Sequence, residues 1–278
     1  MSAPWCPDTV HLIIEVFLDR HQPNGLAYYT FPSLEAFAEL RHAVTTRHGG
    51  VSAAPYHTLN LSNGLGDDPL AVDENIRRVC AALGMQREHV VSPNQRHTAN
   101  VCRVDENDRG RVCAGYDALI TDRPGVPLLL RYADCTPVLI YDPPHHAIAV
   151  IHSGWRGTVQ GIVKSTLVAM TQAYGSRPAE LVAAIGPSIG PCCYEVGAEV
   201  EAAVQTTFAH PELLLPQRPS GRRHFDLWAA NRRWLSDEGV RQIETAELCT
   251  ACHTPDFYSH RAEHGRTGHF GAIMELCE

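Results

Sequence analysis

The stretch Arg131–Gly157, "RYADCTPVLIYDPPHHAIAVIHSGWRG", decides how this chain is read. Two apolar runs, Pro137–Tyr141 and Ala147–Ile151, lie on either side of a proline turn. Cys135 precedes the first run and His152 follows the second. If "PPHH" (143–146) is the turn, Asp142 faces Ala147, and every facing pair of numbers adds to the same sum of about 289. Pro137 then lies opposite His152, and Cys135 opposite Gly154. Facing residues share a sheet face, and so do residues two apart on one strand. Cys135 and His152 are therefore diagonal neighbours on one face, about 7–8 Å apart at the backbone. A slip by two residues keeps them together, whereas a slip by one sends them to opposite faces. On one face, a thiol and an imidazole can converge on one metal ion, with bonds of about 2.0–2.3 Å. Taken singly, a strand cysteine is an inert small hydrophobe and a strand-end histidine a hydrogen-bonded one.

The glycines sharpen the reading. Gly154 and Gly157 bracket Trp155 and Arg156 just before a helical pattern. Backbone N–H groups and an arginine there can hold an anion.

Around this hairpin, the chain is ordinary in bulk. It has 278 residues, 44% apolar and 19% charged, enough for one large core. With 23 basic and 31 acidic residues it carries a net charge of −8, and no basic tract or basic-aromatic stripe speaks for nucleic acid. Val10–Leu18 is interrupted by Glu15, is too short to span a bilayer, and lacks the flanks of a signal peptide. The expectation is a cytoplasmic protein with no membrane partner, whose ten cysteines are read first for metal or catalysis.

Elsewhere the pattern predicts a hairpin of Val10–Leu18 with Leu26–Thr30 across "HQPNG", and a short helix capped by Ser33 with Leu34, Phe37 and Leu40 on one side. A longer helix starts at Asp68-Pro69, carries Val72, Ile76, Val79 and Leu83 as its apolar stripe, and stops at Gly84. Strands are expected at Ala118–Thr121, Leu128–Tyr132, the central hairpin, "LVAAI" (181–185) and Gly271–Leu276. Helices are expected over Thr158–Tyr174, Ala198–Phe208 and Leu227–Glu238. Residues 210–224 read as a surface loop, and no linker divides the chain. Hairpins mixed with helices give an α+β class with mixed β-sheets covered by helices, in a single domain over 1–278.

A series of motifs then becomes recognisable: "TTRHGGVS", "GDDP" with "ENIRRV", "NQRH", "DALIT", "ADCTPVLIYDP", "HSGWRGT", "IGPSIGPCCYEVG" and "CTACHTPDFYSHR". From about Leu40 to the C-terminus the chain resembles the YfiH-like family, labelled multicopper polyphenol oxidase or laccase-domain proteins and described as purine nucleoside phosphorylases. The resemblance implies a fold similar to the cytotoxic necrotizing factor catalytic domain. It also implies a mononuclear site of two histidines and one cysteine. The family's Q-x-H falls on Gln95 and His97, its A-D-C on Cys135, and its H-x-G-W-R-G on His152. The implied metal ligands and catalytic residues are thus His97, Cys135 and His152, with zinc as the metal and copper as the alternative. The implied reactions are phosphorolysis of adenosine, inosine and methylthioadenosine, and deamination of adenosine. The C-terminal motif departs from the family, with Ala262 and His269 where arginine is more usual.

Three protein ligands leave a tetrahedral ion one open position, where a bound water would be acidified, a chemistry suited to attack at C6 of adenosine. Phosphorolysis needs an anion held near C1′, and Arg47 and Arg156 are the expected phosphate-binding residues, with a surface or structural salt bridge as the equal alternative for Arg47. Asp134 is expected to orient a ligand histidine or water, or else to serve as a turn residue. Other readings are a copper-dependent phenol oxidase, a metal-free hydrolase with Cys135 as nucleophile and His152 as base, and a non-catalytic zinc module. The oxidase reading lacks any H-x-H pair among 16 histidines. "CTACH" (249–253) matches a haem-attachment pattern, but without an export signal. Cys192, Cys193, Cys249 and Cys252 could hold a structural zinc, but adjacent cysteines are not expected to aim at one ion.

Overall fold

The computed structural model describes residues 18–219 and 221–277. The central hairpin forms as Thr136–Asp142 and Ala147–Ser153, with Asp142 opposite Ala147 and His152 opposite Pro137. The register is the one that follows if residues 143–146 form the turn.

This hairpin is the centre of a six-stranded sheet. Its order is Gln242–Thr245, Val182–Ile185, Thr136–Asp142, Ala147–Ser153, Ala118–Thr121 and Val101–Arg103. The two outermost pairings are parallel and the inner ones antiparallel. A second sheet of five strands runs Asp19–His21, Tyr28–Thr30, Leu40–Thr45, Phe270–Leu276 and Leu128–Tyr132, all antiparallel. Ser92–Asn94 pairs in parallel with Val112–Ala114 as a separate ribbon. The six-stranded sheet is mixed, as expected, whereas the five-stranded one is antiparallel throughout.

Side-chain alternation stacks these elements into layers. Leu139, Tyr141, Ile148 and Val150 point from the hairpin toward Leu130, Tyr132 and Met274 of the five-stranded sheet. Their neighbours Val138, Ile140, Ala149 and Ile151 point the other way, onto Ile162, Val163, Leu167 and Met170 of the Ile162–Tyr174 helix and Leu235 of the Leu227–Asp237 helix. On the outer face of the five-stranded sheet, Val72, Ile76 and Val79 of the Pro69–Leu83 helix cover Ala43, Leu129 and Ile273. The order is helix, sheet, sheet, helices. Both hairpin strands are buried along their whole length, which explains their unbroken apolar runs.

Most local expectations hold. Asp68 caps its helix by accepting from the Leu70 amide, and Gly84 ends it with φ 68°. Asp226 caps the Leu227–Asp237 helix through the Ala229 amide. Four details differ. The helix expected from Thr158 is two, Trp155–Val159 and Ile162–Tyr174, because Gly161 breaks it with φ 77°. Ser33 is not a cap; the short helix Pro32–Glu35 follows Phe31, and Leu40 opens a strand. The first hairpin uses Asp19–His21, and residues 10–17 of its expected strand lie outside the described residues. Residues 210–224 are irregular apart from the short turn Pro211–Leu213, but Leu214 and Leu215 within them and Phe225 just after them anchor a small core. Among the described residues, no helix is long and apolar enough to cross a membrane.

One buried histidine links this packing to pH. His42 is 4% exposed and its Nε2 accepts from the Phe31 amide at 2.8 Å. Burial, aided by His21, holds its pKa down at about 4 against an ordinary 6.5. The unfolded chain therefore binds the extra proton between pH 6.5 and 4, and the folded chain does not. Stability from this group is complete above pH 6.5 and is lost as pH falls toward 4. Urea unfolding at pH 7 and pH 5 should show about 2 kcal/mol of His42-dependent loss, absent in His42→Gln. An unchanged pH slope in that variant would refute the assignment.

Candidate metal centre and substrate cavity

His97, Cys135 and His152 come together. One ligand atom from each lies within 4.8 Å of the others, and Cys135 Sγ is 3.8 Å from His97 Nε2. The rings of His97 and His152 meet edge to face at 4.9 Å. Cys135 and His152 arrive by the hairpin register, on the face turned toward the five-stranded sheet. His97 arrives from the loop before Val101–Arg103, with a left-handed φ of 59°.

One carboxylate organises this convergence. Asp117, fully buried, accepts hydrogen bonds from the amides of Arg96, His97 and Thr98 at 3.1, 3.0 and 2.8 Å, and from the Thr98 hydroxyl at 2.9 Å. The His152 Nδ1 lies 2.9 Å from its Oδ1. With Nδ1–H donating to Asp117, the Nε2 lone pair of His152 is left for the cluster. Burial alone would raise the Asp117 pKa, but His152 and the amides outweigh it and hold the carboxyl well below its usual range. Asp117 opens the Ala118–Thr121 strand, and its carbonyl accepts from the His152 amide at 2.7 Å. The sequence offered "DALIT" as a motif but no clue to this role.

Two further devices fix the loops. The Gln95 side-chain amide exchanges a pair of bonds with the Arg131 backbone, donating at 2.8 Å and accepting at 3.0 Å. This ties the His97 loop to the strand that runs on to Cys135. Gly154 makes room: a Cβ there would sit 2.9 Å from both Cys135 Sγ and His97 Cδ2.

The electrostatics suit a metal. Burial alone would raise the Cys135 pKa, yet His152 and His97 pull it down to about 6, so a thiolate is ready to ligate. One thiolate and two imidazoles are a donor set for zinc or copper, and three protein donors leave a position open, as catalytic sites do.

The cluster sits in a cavity of about 830 Å³ that is also lined by Asn63, Asn94, Gln95, Tyr194, Arg131, Arg156, Arg261 and His269. Arg156 stacks over Trp155 at 4.2 Å and reaches exposed Glu199 only at 3.6 Å. Arg261, not singled out from sequence, gives its guanidinium to the carbonyls of Cys193 and Glu195 and lies over Tyr194. Among the described residues, no carboxylate lies within ion-pair distance of Arg261 or Arg131. Their charges stay with the cavity. His269 stays neutral there, its pKa pushed down to about 3 by burial and by nearby His152.

Of two other expected residues, Asp134 lines the cavity and Arg47 does not. The Arg47 guanidinium is taken by Glu263 at 3.1 Å, the Thr254 carbonyl and the Tyr258 ring. It braces the C-terminal loop. Asp134 is the turn residue, with φ 81°, and its carboxylate accepts from the Thr250 hydroxyl and the Arg261 amide. Orientation of the histidine falls to Asp117 instead.

Asp117→Asn leaves one side-chain oxygen for five donors. It should weaken zinc binding to the apoprotein about 10–100-fold in competition with a chromophoric chelator. Unchanged affinity would show that the carboxylate does not set the ligand geometry.

Known proteins share this sequence pattern and this fold. Residues 41–277 match the family model described as multi-copper polyphenol oxidoreductase laccase. A purine nucleoside phosphorylase of Bacteroides thetaiotaomicron is 39% identical over 241 residues, 83% of this chain and 89% of that one. The purine nucleoside phosphorylase YlmD of Geobacillus stearothermophilus is 36% identical over 249 residues, 86% of this chain and 90% of that one. The crystal structure of YlmD from Geobacillus stearothermophilus superposes with a TM-score of 0.87 at 34% identity, covering 94% of this chain and 99% of that one. A Bacillus licheniformis hypothetical protein YfiH superposes at 0.86 with 31% identity, over 91% and 97%. By motif order, layer architecture and extent of match, the chain belongs to the multi-copper polyphenol oxidoreductase laccase family, alongside the YfiH and YlmD proteins.

Proposed function

We propose that this protein is a metal-dependent purine nucleoside phosphorylase. It joins phosphate to the ribose of adenosine, inosine or methylthioadenosine, and it deaminates adenosine at the same site. The observation that carries this reading is the placement of His97, Cys135 and His152 in one cavity with Arg156, Arg261 and Arg131. Relatives that carry the phosphorylase name over more than four fifths of this chain support it.

In phosphorolysis, a phosphate oxygen bonds to C1′ while the C1′–N9 bond breaks and its electron pair leaves with the purine. Arg156 and Arg261 are the groups to hold the phosphate, since planar guanidiniums match its oxygens. Arg131 adds positive charge to the cavity lining, and oxygens of Leu61, Ser92 and Pro93 fix its direction. The amides of Asn63 and Asn94 suit the donor and acceptor edge of a purine. Neutral His269 and the Tyr194 ring close the site without adding charge. Zinc held by the two histidines and Cys135 would supply Lewis acidity, which the deamination needs most. Phenol oxidation by several coppers fits less well. Among the described residues, only one donor cluster contains histidine.

A metal-free Cys/His mechanism has one observation in its favour. The Cys135 pKa is pulled to about 6, while that of His152 is pushed up to about 9, the Cys135 charge and Asp117 outweighing its burial. Chelation separates the two readings. Adenosine turnover with phosphate should vanish in metal-stripped protein and return with zinc; full turnover without metal would overturn the metal mechanism.

Cys135→Ala should lower kcat/KM for phosphorolysis by about 1,000-fold, roughly 4 kcal/mol of barrier. Arg261→Ala should raise KM for phosphate about tenfold with a smaller effect on KM for the nucleoside. Steady-state assays of adenine release at varied phosphate measure both. An Arg261→Ala enzyme with unchanged phosphate KM would move the anion site elsewhere.

A further inference from the structure

Outside the cavity, four more sulfurs converge. Every pair among Cys192, Cys193, Cys249 and Cys252 lies within 4.8 Å. Cys252 Sγ is 3.5 Å from that of Cys192 and 3.3 Å from that of Cys193. All four cysteines are free. A tetrahedron of sulfurs at bonds of about 2.3 Å has edges of about 3.8 Å, whereas a disulfide needs about 2.05 Å. The spacing is that of ligands around one ion.

Adjacent cysteines manage this because their backbone is not extended. The amides of Cys193 and Tyr194 both donate to the Gly190 carbonyl, at 3.0 and 2.9 Å, which winds the segment into a helical turn. Neighbouring side chains then diverge by about 100° rather than the half-turn of a strand. The Cys249 and Cys252 pair sits in its own tight turn, closed by the Cys252 amide on the Cys249 carbonyl. The Gly190 amide donates to Cys249 Sγ at 3.2 Å, a contact that stabilises a thiolate. These sulfurs also rule out the haem-attachment reading of "CTACH" on geometry, since both of its cysteines turn inward to Cys192 and Cys193.

We propose that Cys192, Cys193, Cys249 and Cys252 form a second metal site, a closed tetrathiolate that binds a zinc-class divalent ion and clamps one wall of the substrate cavity. Each thiol gives up its proton as it binds, and four protein ligands leave no open position, so the site is structural. It joins segments about 60 residues apart in sequence. Those segments carry Ile189 and Tyr194 of the cavity wall, and the Cys193 carbonyl that holds Arg261. Thr250, between the two cysteines of the second pair, donates to Asp134 next to Cys135. The inference rests on sulfur geometry and stands apart from the reading of the catalytic chemistry.

Metal analysis of the full chain, expressed and purified under reducing conditions with zinc, tests it. The wild type should carry two zinc ions per chain. Cys135→Ala/His152→Ala should carry one, and Cys249→Ser/Cys252→Ser should retain only the other. Zinc X-ray absorption of Cys135→Ala/His152→Ala should show a shell of four sulfurs, and this result decides the matter if the serine variant does not fold. In a folded serine variant, amide exchange across residues 189–195 should rise while the central hairpin stays protected. A zinc-free Cys135→Ala/His152→Ala protein, or a shell mixed with nitrogen or oxygen, would overturn the site. Disulfide-linked pairs among these four cysteines in the intact mass would do the same. Unchanged exchange at 189–195 in a folded serine variant would overturn the clamp.

Discussion

The Asp117 carboxylate is the constraint on which the centre depends. It is buried without a permanent cation beside it, a placement that costs several kcal/mol unless hydrogen bonds compensate. Three successive amides, a hydroxyl and the His152 ring provide them. Satisfying one charge therefore fixes three things together: the path of the 96–98 backbone, the left-handed turn at His97, and the tautomer of His152. Residues from two separate segments are brought into one geometry because a single buried group needs both.

The layers supply the rigidity that this geometry requires. A hairpin buried on both faces cannot shift by one residue without moving apolar side chains from one interface to the other. Its register is thus held by Leu139, Tyr141, Ile148 and Val150 on one side and by Val138, Ile140, Ala149 and Ile151 on the other. Cys135 and His152 inherit that precision at the hairpin's open end. The cavity wall is built differently, from loops that lean on one another through Asp134, Thr250 and Arg261. The core positions the ligands, and the loops shape what they meet.

Much of this was legible in the chain. Two unbroken apolar runs around a proline turn gave the hairpin, the choice of 143–146 as the turn gave its register, and helix caps at Asp68 and Asp226 announced themselves by residue type. His97 came only from family resemblance, since nothing in local periodicity joins residue 97 to a hairpin begun 39 positions later. Asp117 and Arg261 were hidden for the same reason: their partners are distant in sequence and chosen by tertiary packing. For Arg47 the sequence left anion site and salt bridge equally open, and only the tertiary fold, by bringing up Glu263, decides for the salt bridge. The convergence of the adjacent Cys192 and Cys193 on one side was hidden because the helical turn that permits it is closed by the Gly190 carbonyl, which residue type does not announce.

The paired bonds between the Gln95 side chain and the Arg131 backbone have a meaning beyond the ligand loop. The Leu128–Tyr132 strand is an edge of its sheet, and such edges expose amides and carbonyls that invite pairing with another molecule. Gln95 offers an amide of its own, donating and accepting as a neighbouring strand residue would. Val91 does the same by backbone at Leu129, accepting its amide at 2.9 Å. A side chain thus stands in for an absent strand, and the polypeptide that delivers His97 also guards the sheet against aggregation.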